Sequence, residues 1–197
     1  MSALKLYYAP GACSLADHIA LYEAAAEFTV ARVDIRTHTT ADGTDFHSVS
    51  PKGYVPALIL ADGQMLTENI AVLDYLSGLY PQLGAPGPLG RSRLVEALAF
   101  ISTELHRAFK PMWHGGSERD RARAAETVTG LMTMMEGDMK GAFLFGEQPS
   151  VADFYLFVML LWAERFGVPV PGAMDALRTR LKARPAVQAA MRAEGLI

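Results

Sequence analysis

The chain has 197 residues, with 18 basic and 21 acidic side chains that give a formal net charge of −3. Because no run of like charge stands out, we expect neither a nucleic-acid groove nor an anchor to an anionic membrane surface. Hydrophobic residues make up 51% of the chain, which excludes a disordered or collagen-like polymer. The single cysteine, Cys13, excludes an intrachain disulfide, and together with the lack of a secretory signal it favours a reducing, cytoplasmic compartment. The longest apolar stretch, 154–163, is too short to span a bilayer.

The first 80 residues predict a mixed α/β domain. The predicted elements, in chain order, are a strand over 4–8, a helix over 13–26, a strand over 28–35, a hairpin over 56–67 and a helix over 69–80. Residues 36–53 are polar and contain glycine, which indicates a loop or an irregular helix. The order is therefore βαβ followed by ββα, and the βαβ half predicts parallel strands with a right-handed crossover.

The rest of the chain predicts an all-helical domain over 91–197. Residues 81–90 hold three prolines and three glycines and predict a linker between domains 1–80 and 91–197. The predicted helices cover 91–114, 118–140, 150–166, 173–183 and 185–193. Ser150 and Asp153 precede an apolar run with the spacing of a capping box.

Cys13 lies where a strand, a Pro-Gly break and a predicted helix meet. The partial positive charge at a helix N-terminus favours the thiolate, which is the reactive form of a cysteine. The alternative is an ordinary buried small side chain. Because the fourth position of the motif is Ala16 rather than a second cysteine, a dithiol reductase is not expected. A single thiol that binds another thiol is compatible with this pattern.

Two further dipeptides fit recognition of a small peptide. Val55-Pro56 opens the third predicted strand, and in a thioredoxin-like fold such a proline is typically cis. The backbone of Val55 would then be free to pair with an extended ligand; the alternative is a strand-start proline without a further role. Glu68 and Asn69 begin the next helix and match the charged end of an amino acid, although a plain helix cap explains the asparagine equally well.

His106 lies on the polar side of the first C-terminal helix. A histidine can donate to, or protonate, a nearby sulfur near neutral pH; the alternative is a surface histidine with a local contact. Trp113 and Trp162 suit a core or the lining of a groove. The sequence predicts no metal site, because its histidines, at positions 18, 38, 47, 106 and 114, lack any ligand spacing. It also lacks a nucleotide-binding glycine fingerprint.

Six segments in order resemble a bacterial glutathione transferase of the beta class over essentially the whole chain. The segments are LYYAPGACSLADHIAL, SPKGYVPALIL, LTENIAVLDYL, ISTELHRAF, SVADFYLF and RPAVQAAMRAEGL. The resemblance implies an α/β thioredoxin-like domain joined to an all-α helical bundle, in a cytoplasmic homodimer. It also implies glutathione as co-substrate, with no tightly bound cofactor.

The resemblance also implies roles for individual residues. Cys13 matches a cysteine that can form a mixed disulfide with glutathione, and His106 matches a histidine near the sulfur; these two are the predicted catalytic residues. The predicted glutathione-binding residues are Cys13, His38, Tyr54, Val55, Glu68, Asn69, Thr103, Glu104, His106 and Arg107. The predicted acceptor pocket, expected between the domains, includes Tyr8, Trp113 and Trp162.

The sequence departs from the beta-class pattern at three of these places. Ala99 stands where the class often has asparagine, His38 where it has another basic residue, and Arg107 where it often has lysine. The expected reaction is transfer of glutathione to small, mostly apolar electrophiles, a detoxification chemistry. The alternatives are glutathione-dependent thiol exchange or peroxide reduction through Cys13, and a non-catalytic glutathione-fold binding protein.

Overall fold

The computed structural model of the protein describes residues 4–197. The chain forms two compact units. Unit 1 consists of the chain up to Leu83 together with Arg184–Ile197, and unit 2 is Gly84–Ala183. Across residues 4–197, every helix is too short or too polar to cross a membrane.

Unit 1 is built on a five-stranded mixed sheet. Its strands are β1 (Leu4–Tyr8), β2 (Phe28–Asp34), β3 (Thr39–Thr40), β4 (Ala57–Ile59) and β5 (Met65–Thr67), in the order β3-β2-β1-β4-β5. β1 and β2 are parallel, as the βαβ pattern predicted, and the other pairs are antiparallel. The short β3 and a 3-10 turn at Phe46–Ser48 occupy part of the stretch predicted as loop.

Three helices complete unit 1: α1 (Leu15–Glu23), α2 (Asn69–Leu79) and α8 (Pro185–Ala193). α1 packs against α2 and α8. The sheet carries a small apolar cluster of Tyr7, Val33, Phe46 and Ala57. These elements confirm the predicted thioredoxin-like order and add a helix from the far end of the chain.

The C-terminal segment belongs to a different compact unit from the one the sequence predicted. The predicted all-helical domain ran from 91 to 197, whereas Arg184–Ile197 packs within unit 1. Val187 and Met191 of α8 are buried, and Arg184 makes two hydrogen bonds to Glu23 of α1, at 2.5 and 2.9 Å. The physical reason is that the apolar face of α8 is covered by α1, a long-range contact that local patterns do not encode.

Unit 2 is all-helical, as predicted. Its helices are α3 (Gly90–Phe100), α4 (Lys110–Trp113), α5 (Glu118–Asp138), α6 (Val151–Phe166) and α7 (Gly172–Lys182). The prediction of one continuous helix over 91–114 is wrong in one respect, because a π-helical segment, Ile101–His106, interrupts it. Insertions of this kind widen a helix locally and often accompany functional sites.

α6 forms the core of unit 2. From Val151 to Leu160 every side chain is buried, so this part of the helix is enclosed on all faces. Its first turn carries the predicted capping box, in which Asp153 accepts hydrogen bonds from the N–H and hydroxyl of Ser150 at 2.8 and 2.7 Å. Gly167 ends the helix in the left-handed conformation, with φ of 66°.

Candidate functional site

Cys13 lies in a turn between β1 and α1. The sequence predicted that the helix begins at Cys13, but it begins at Leu15, and Ser14 is its N-cap. Gly11 has φ of 68°, a conformation that glycine adopts without strain. The thiol of Cys13 donates to the carbonyl oxygen of Val55 at 3.8 Å. The structure thus brings together two of the residues that the sequence predicted for one site.

The thiol of Cys13 is held in its protonated form. Burial, and next the nearby carboxyl of Asp17, raise its pKa to about 12, although the backbone N–H groups of the turn act in the opposite direction. The prediction of a thiolate favoured by the helix N-terminus is therefore wrong. The reason is that removing the charged form from water outweighs the partial charge at the helix end.

The Val55-Pro56 peptide bond is cis, as expected for a thioredoxin-like fold. Val55 precedes β4, and its carbonyl accepts from Cys13. Within residues 4–197 the Val55 N–H has no hydrogen-bond partner. This donor is therefore available to an extended ligand that lies beside the Cys13 turn.

Glu68 occupies a strained position at the start of α2. Its φ of 71° is unusual for a residue with a side chain and costs of order 1–3 kcal/mol. Its carboxylate, exposed to solvent, receives a hydrogen bond from Lys52 Nζ at 2.6 Å. The first backbone hydrogen bond of α2 runs from Val72 N–H to Glu68. The N–H groups before Val72 therefore point out of the helix end, where they suit an anion.

The side chain of Asn69 is buried and already engaged. Two acceptors, Asp17 Oδ2 and the Cys13 carbonyl, face one end of its amide, so the amide nitrogen must lie there. The nitrogen donates to Asp17 at 2.7 Å and to Cys13 at 3.3 Å. Asn69 thus joins α2 to the cysteine turn.

His38 and Tyr54 lie on either side of Gly53. His38, with φ of 53°, has its Nδ1 at 3.1 Å from the Gly53 carbonyl, and its ring packs against His47 at 4.5 Å between centroids. Tyr54 is 74% exposed. Tyr54 therefore lies in the segment that leads into Val55, and His38 contacts that segment at Gly53.

In unit 2, His106 ends the π-helical segment. Its Nδ1 lies 2.7 Å from the hydroxyl of Tyr155, and its ring meets Trp162 edge-on at 4.8 Å between centroids. Burial lowers the pKa of His106 below its usual 6.5. The ring is therefore neutral at pH 7, and Tyr155 fixes its orientation.

The other predicted residues of unit 2 divide into two groups. Thr103 and Glu104 are exposed on the π-helical segment, whereas Arg107 lines a cleft of about 550 Å³ with other cationic side chains. The predicted Trp113 and Trp162 pack together with Phe109 and Phe166, and the guanidinium of Arg165 lies over the Trp113 ring. Trp113 is 38% exposed and Trp162 is buried.

Tyr8 is buried in unit 1, where its hydroxyl donates to the Ala193 carbonyl at 3.5 Å. Ala99, on α3, is partly buried. Among the residues that the structure describes, no cluster of histidine, cysteine, aspartate and glutamate has the arrangement of a metal site.

Sequence reasoning missed Lys52, Asp17 and Tyr155. Lys52 lies three residues before Val55, and a lone lysine in a loop gives no signal. Asp17 follows Ser14 with capping-box spacing, which predicts a cap rather than a contact with Asn69. Tyr155 lies within an apolar run, where a tyrosine ordinarily suits the core.

Comparison with known proteins bears directly on this geometry. Residues 2–78 match the family "Glutathione S-transferase, N-terminal domain" and residues 85–193 match "Glutathione S-transferase, C-terminal domain". The chain belongs to the glutathione S-transferase family. The transferase is 38% identical to "Glutathione S-transferase GstA" of Escherichia coli O157:H7, an alignment that covers 98% of this chain and all of the relative.

Two solved structures extend the similarity to three dimensions. A sphingomonad glutathione S-transferase complexed with glutathione has a TM-score of 0.89 and 41% identity. A beta-class transferase from Sphingomonas chungbukensis has a TM-score of 0.87 and 39% identity. Each alignment covers 98% of this transferase and 100% of the other chain. The resemblance to bacterial beta-class enzymes is thereby confirmed.

Proposed function

We propose that this glutathione transferase binds glutathione beside Val55 in unit 1 and transfers its sulfur to the electrophilic carbon of small, mostly apolar acceptors. The observation that carries the proposal is the unpaired Val55 N–H beside Cys13 and the N-terminus of α2. Val55 lies just before β4, an inner strand of the sheet between β1 and β5, so an extended peptide would pair with the chain at the end of that strand rather than along the edge of the sheet.

The charges near Val55 suit the two ends of glutathione. Glu68 accepts from the α-ammonium group, while the free N–H groups of α2 receive the α-carboxylate next to it. At the glycine end, His38 offers a donor to a carboxylate, whereas Lys52 is paired with Glu68 at 2.6 Å and belongs to the γ-glutamyl end. The strain at Glu68 supports a binding role, because backbone strain of this kind concentrates at ligand sites.

His106 is proposed to act on the glutathione sulfur as a neutral hydrogen-bond donor. Because Tyr155 occupies Nδ1, Nε2 is the nitrogen left for the sulfur. A neutral ring that donates from Nε2 stabilises a thiolate without first losing a proton. Thr103, Glu104 and Arg107 extend the proposed site, and Trp113, which is 38% exposed, offers aromatic surface for an apolar acceptor. The other two predicted acceptor residues, Tyr8 and Trp162, are buried.

Cys13 is proposed to support binding rather than to act as the nucleophile. A thiol with a pKa of about 12 is almost fully protonated at neutral pH, and only the thiolate attacks a disulfide. This observation disfavours thiol exchange and peroxide reduction as the main activity. Conjugation uses the sulfur of glutathione instead, so a protonated Cys13 does not hinder it.

The proposal includes assembly and location. The helices predicted over 91–140, which correspond to α3, α4 and α5, would pack against their mates across a two-fold axis in a cytoplasmic homodimer. Light scattering at micromolar concentration should give twice the chain mass of 21.4 kDa. A mass of one chain would reject the dimer.

Calorimetric titration with glutathione tests the site. Glu68→Ala leaves the α-ammonium group unpaired and should weaken binding by about 1–3 kcal/mol, whereas Glu27→Ala, an exposed glutamate of the same unit, should not. Conjugation to a generic aryl halide tests the reaction. Equal affinities for the two variants would reject the glutathione site.

A further inference from the structure

The chain contains the same short motif at the start of two helices, with two different outcomes. Ser14-Leu-Ala-Asp17 opens α1 and Ser150-Val-Ala-Asp153 opens α6, each from the N-cap to the third helical residue. In α6 the aspartate turns back and closes the capping box with Ser150. In α1 no side-chain cap forms. Asp17 therefore has a structural role different from that of Asp153.

The hydroxyl of Ser14 is used by the cysteine turn. It accepts from the Ala9 N–H at 3.2 Å, a bond that closes the loop from the end of β1 to the start of α1. The Asp17 carboxyl is consequently left without its usual capping partner. It is fully buried, and its Oδ1 has no partner within residues 4–197.

The other oxygen of Asp17 reaches α2. Asp17 Oδ2 accepts from the Asn69 amide nitrogen at 2.7 Å, and the same nitrogen donates to the Cys13 carbonyl at 3.3 Å. One amide therefore joins the first turn of α1, the cysteine turn and the first residue of α2. Burial raises the pKa of the Asp17 carboxyl well above its usual value. A neutral acid still offers its carbonyl oxygen as an acceptor, so the link does not depend on ionisation.

We propose that Asp17 is a positioning residue for the glutathione site: its carboxyl fixes the Asn69 amide, and that amide fixes the carbonyl of Cys13 at the start of α2. The inference rests on the proposed function and adds a residue that does not itself touch glutathione. It explains why a buried aspartate stands at the start of α1 without capping the helix. The same contact keeps the turn with Cys13 close to the Val55 carbonyl.

Four variants test the link. Asp17→Ala and Asn69→Ala each break it, and Asp17→Asn keeps an acceptor oxygen at the same place. Asp153→Asn is the matched control, because it changes a fully buried aspartate of the same motif in unit 2. If Asp17→Ala fails to fold, Asn69→Ala carries the same test.

The first measurement is the rate at which iodoacetamide alkylates Cys13. As the chain has one cysteine, the rate reports on this turn alone. Asp17→Ala and Asn69→Ala should each raise it about threefold or more, because the released turn opens more often. In the Asp17→Ala/Asn69→Ala double variant, Cys13 should be alkylated no faster than in either single variant. Because the Asp17 carboxyl helps to raise the pKa of Cys13, Asp17→Asn gives the reference rate for loss of that charge alone, and Asp17→Ala should exceed this reference about threefold. Asp153→Asn should match the wild type.

The second measurement is the split between KM for glutathione and kcat in aryl-halide conjugation. Asp17→Ala should raise KM about tenfold and change kcat little, since a displaced turn weakens binding before it affects the chemistry. Asp17→Asn should restore KM. A purely structural role predicts lower thermal stability for Asp17→Ala, with a normal KM in the folded protein.

The results separate this inference from the proposed function. If the wild type binds no glutathione, the proposed function fails, and alkylation alone then decides the Asp17 link. A folded Asp17→Ala protein with the wild-type alkylation rate would overturn the inference. An Asp17→Asn variant that behaves like Asp17→Ala would overturn it as well.

Discussion

The imidazole of His18 and the carboxylate of Glu194 lie 176 residues apart in sequence and 2.9 Å apart in space. Neither side chain has any exposed surface. The second oxygen of Glu194 accepts from the N–H of Gly11 at 2.9 Å. A single carboxylate near the end of the chain thus holds both α1 and the turn that precedes it.

We expect Glu194→Ala to lower the free energy of unfolding by about 3 kcal/mol, because the buried His18 ring and the partly buried Gly11 N–H both lose their acceptor. Urea unfolding measures this change. Glu96→Ala removes an exposed carboxylate paired with Arg93 and should cost less than about 1 kcal/mol. If the two variants lose the same free energy of unfolding, the buried Glu194 contacts stabilise the fold no more than an exposed ion pair.

Asp153 should make stability depend on pH. Burial raises its pKa to about 6, despite the hydrogen bonds from Leu144 and Ser150 that lower it. Because the folded-state pKa lies above the usual 3.8, the folded protein holds this proton more tightly than the unfolded chain. The stabilisation of the folded state by protonated Asp153 is therefore full below about pH 4 and is lost as the pH rises through 6.

The size of this effect is about 3 kcal/mol, from a pKa displaced by about 2. Asp153→Asn cannot ionise, so its stability should approach that of the wild type as the pH rises from 4 to 8. Melting temperatures across this range test the prediction. A constant difference between the two proteins would contradict it.

Tyr155→Phe should slow conjugation, because it removes the hydroxyl that orients the His106 ring. The loss of one hydrogen bond, about 1 kcal/mol, corresponds to a roughly fivefold lower kcat. His106→Ala should reduce kcat further, whereas Tyr80→Phe, in unit 1, is the control. Steady-state kinetics with an aryl halide measures kcat for each variant. A Tyr155→Phe enzyme with the wild-type kcat would show that the Tyr155 hydroxyl does not assist conjugation.

Cys13→Ala should nearly abolish thiol exchange while conjugation stays within about threefold of the wild type, a change below 1 kcal/mol. In exchange, the Cys13 thiolate attacks one sulfur of oxidised glutathione and releases the other half as glutathione thiolate. With a pKa of about 12, the adduct should form slowly at pH 7 and faster as the pH rises.

Intact-protein mass spectrometry follows this adduct as one added glutathione mass. Since no second cysteine can resolve it, the adduct should persist once free thiol is removed. Rapid, pH-independent labelling at pH 6–8 would contradict the high pKa. No added mass in the folded protein at any pH would make Cys13 purely structural.

The sequence alone determined the order of elements and the family. Hydrophobic spacing located most helices and strands because each is set by residues within one or two turns of each other. α8 was predicted at its observed bounds, 185–193, since Pro185 marks its start. The Cys13, Val55-Pro56 and Glu68-Asn69 segments are local motifs of a few residues each, and their resemblance to the beta-class pattern implied a glutathione site.

Only the tertiary structure decided how these segments meet. It placed Arg184–Ile197 in unit 1, directed Asp17 to Asn69 instead of to a cap, and raised the pKa of Cys13 where the local pattern predicted the opposite. Each of these results depends on burial by residues far away in sequence. Desolvation and buried hydrogen bonds arise only when distant segments exclude water together, so no local pattern specifies them.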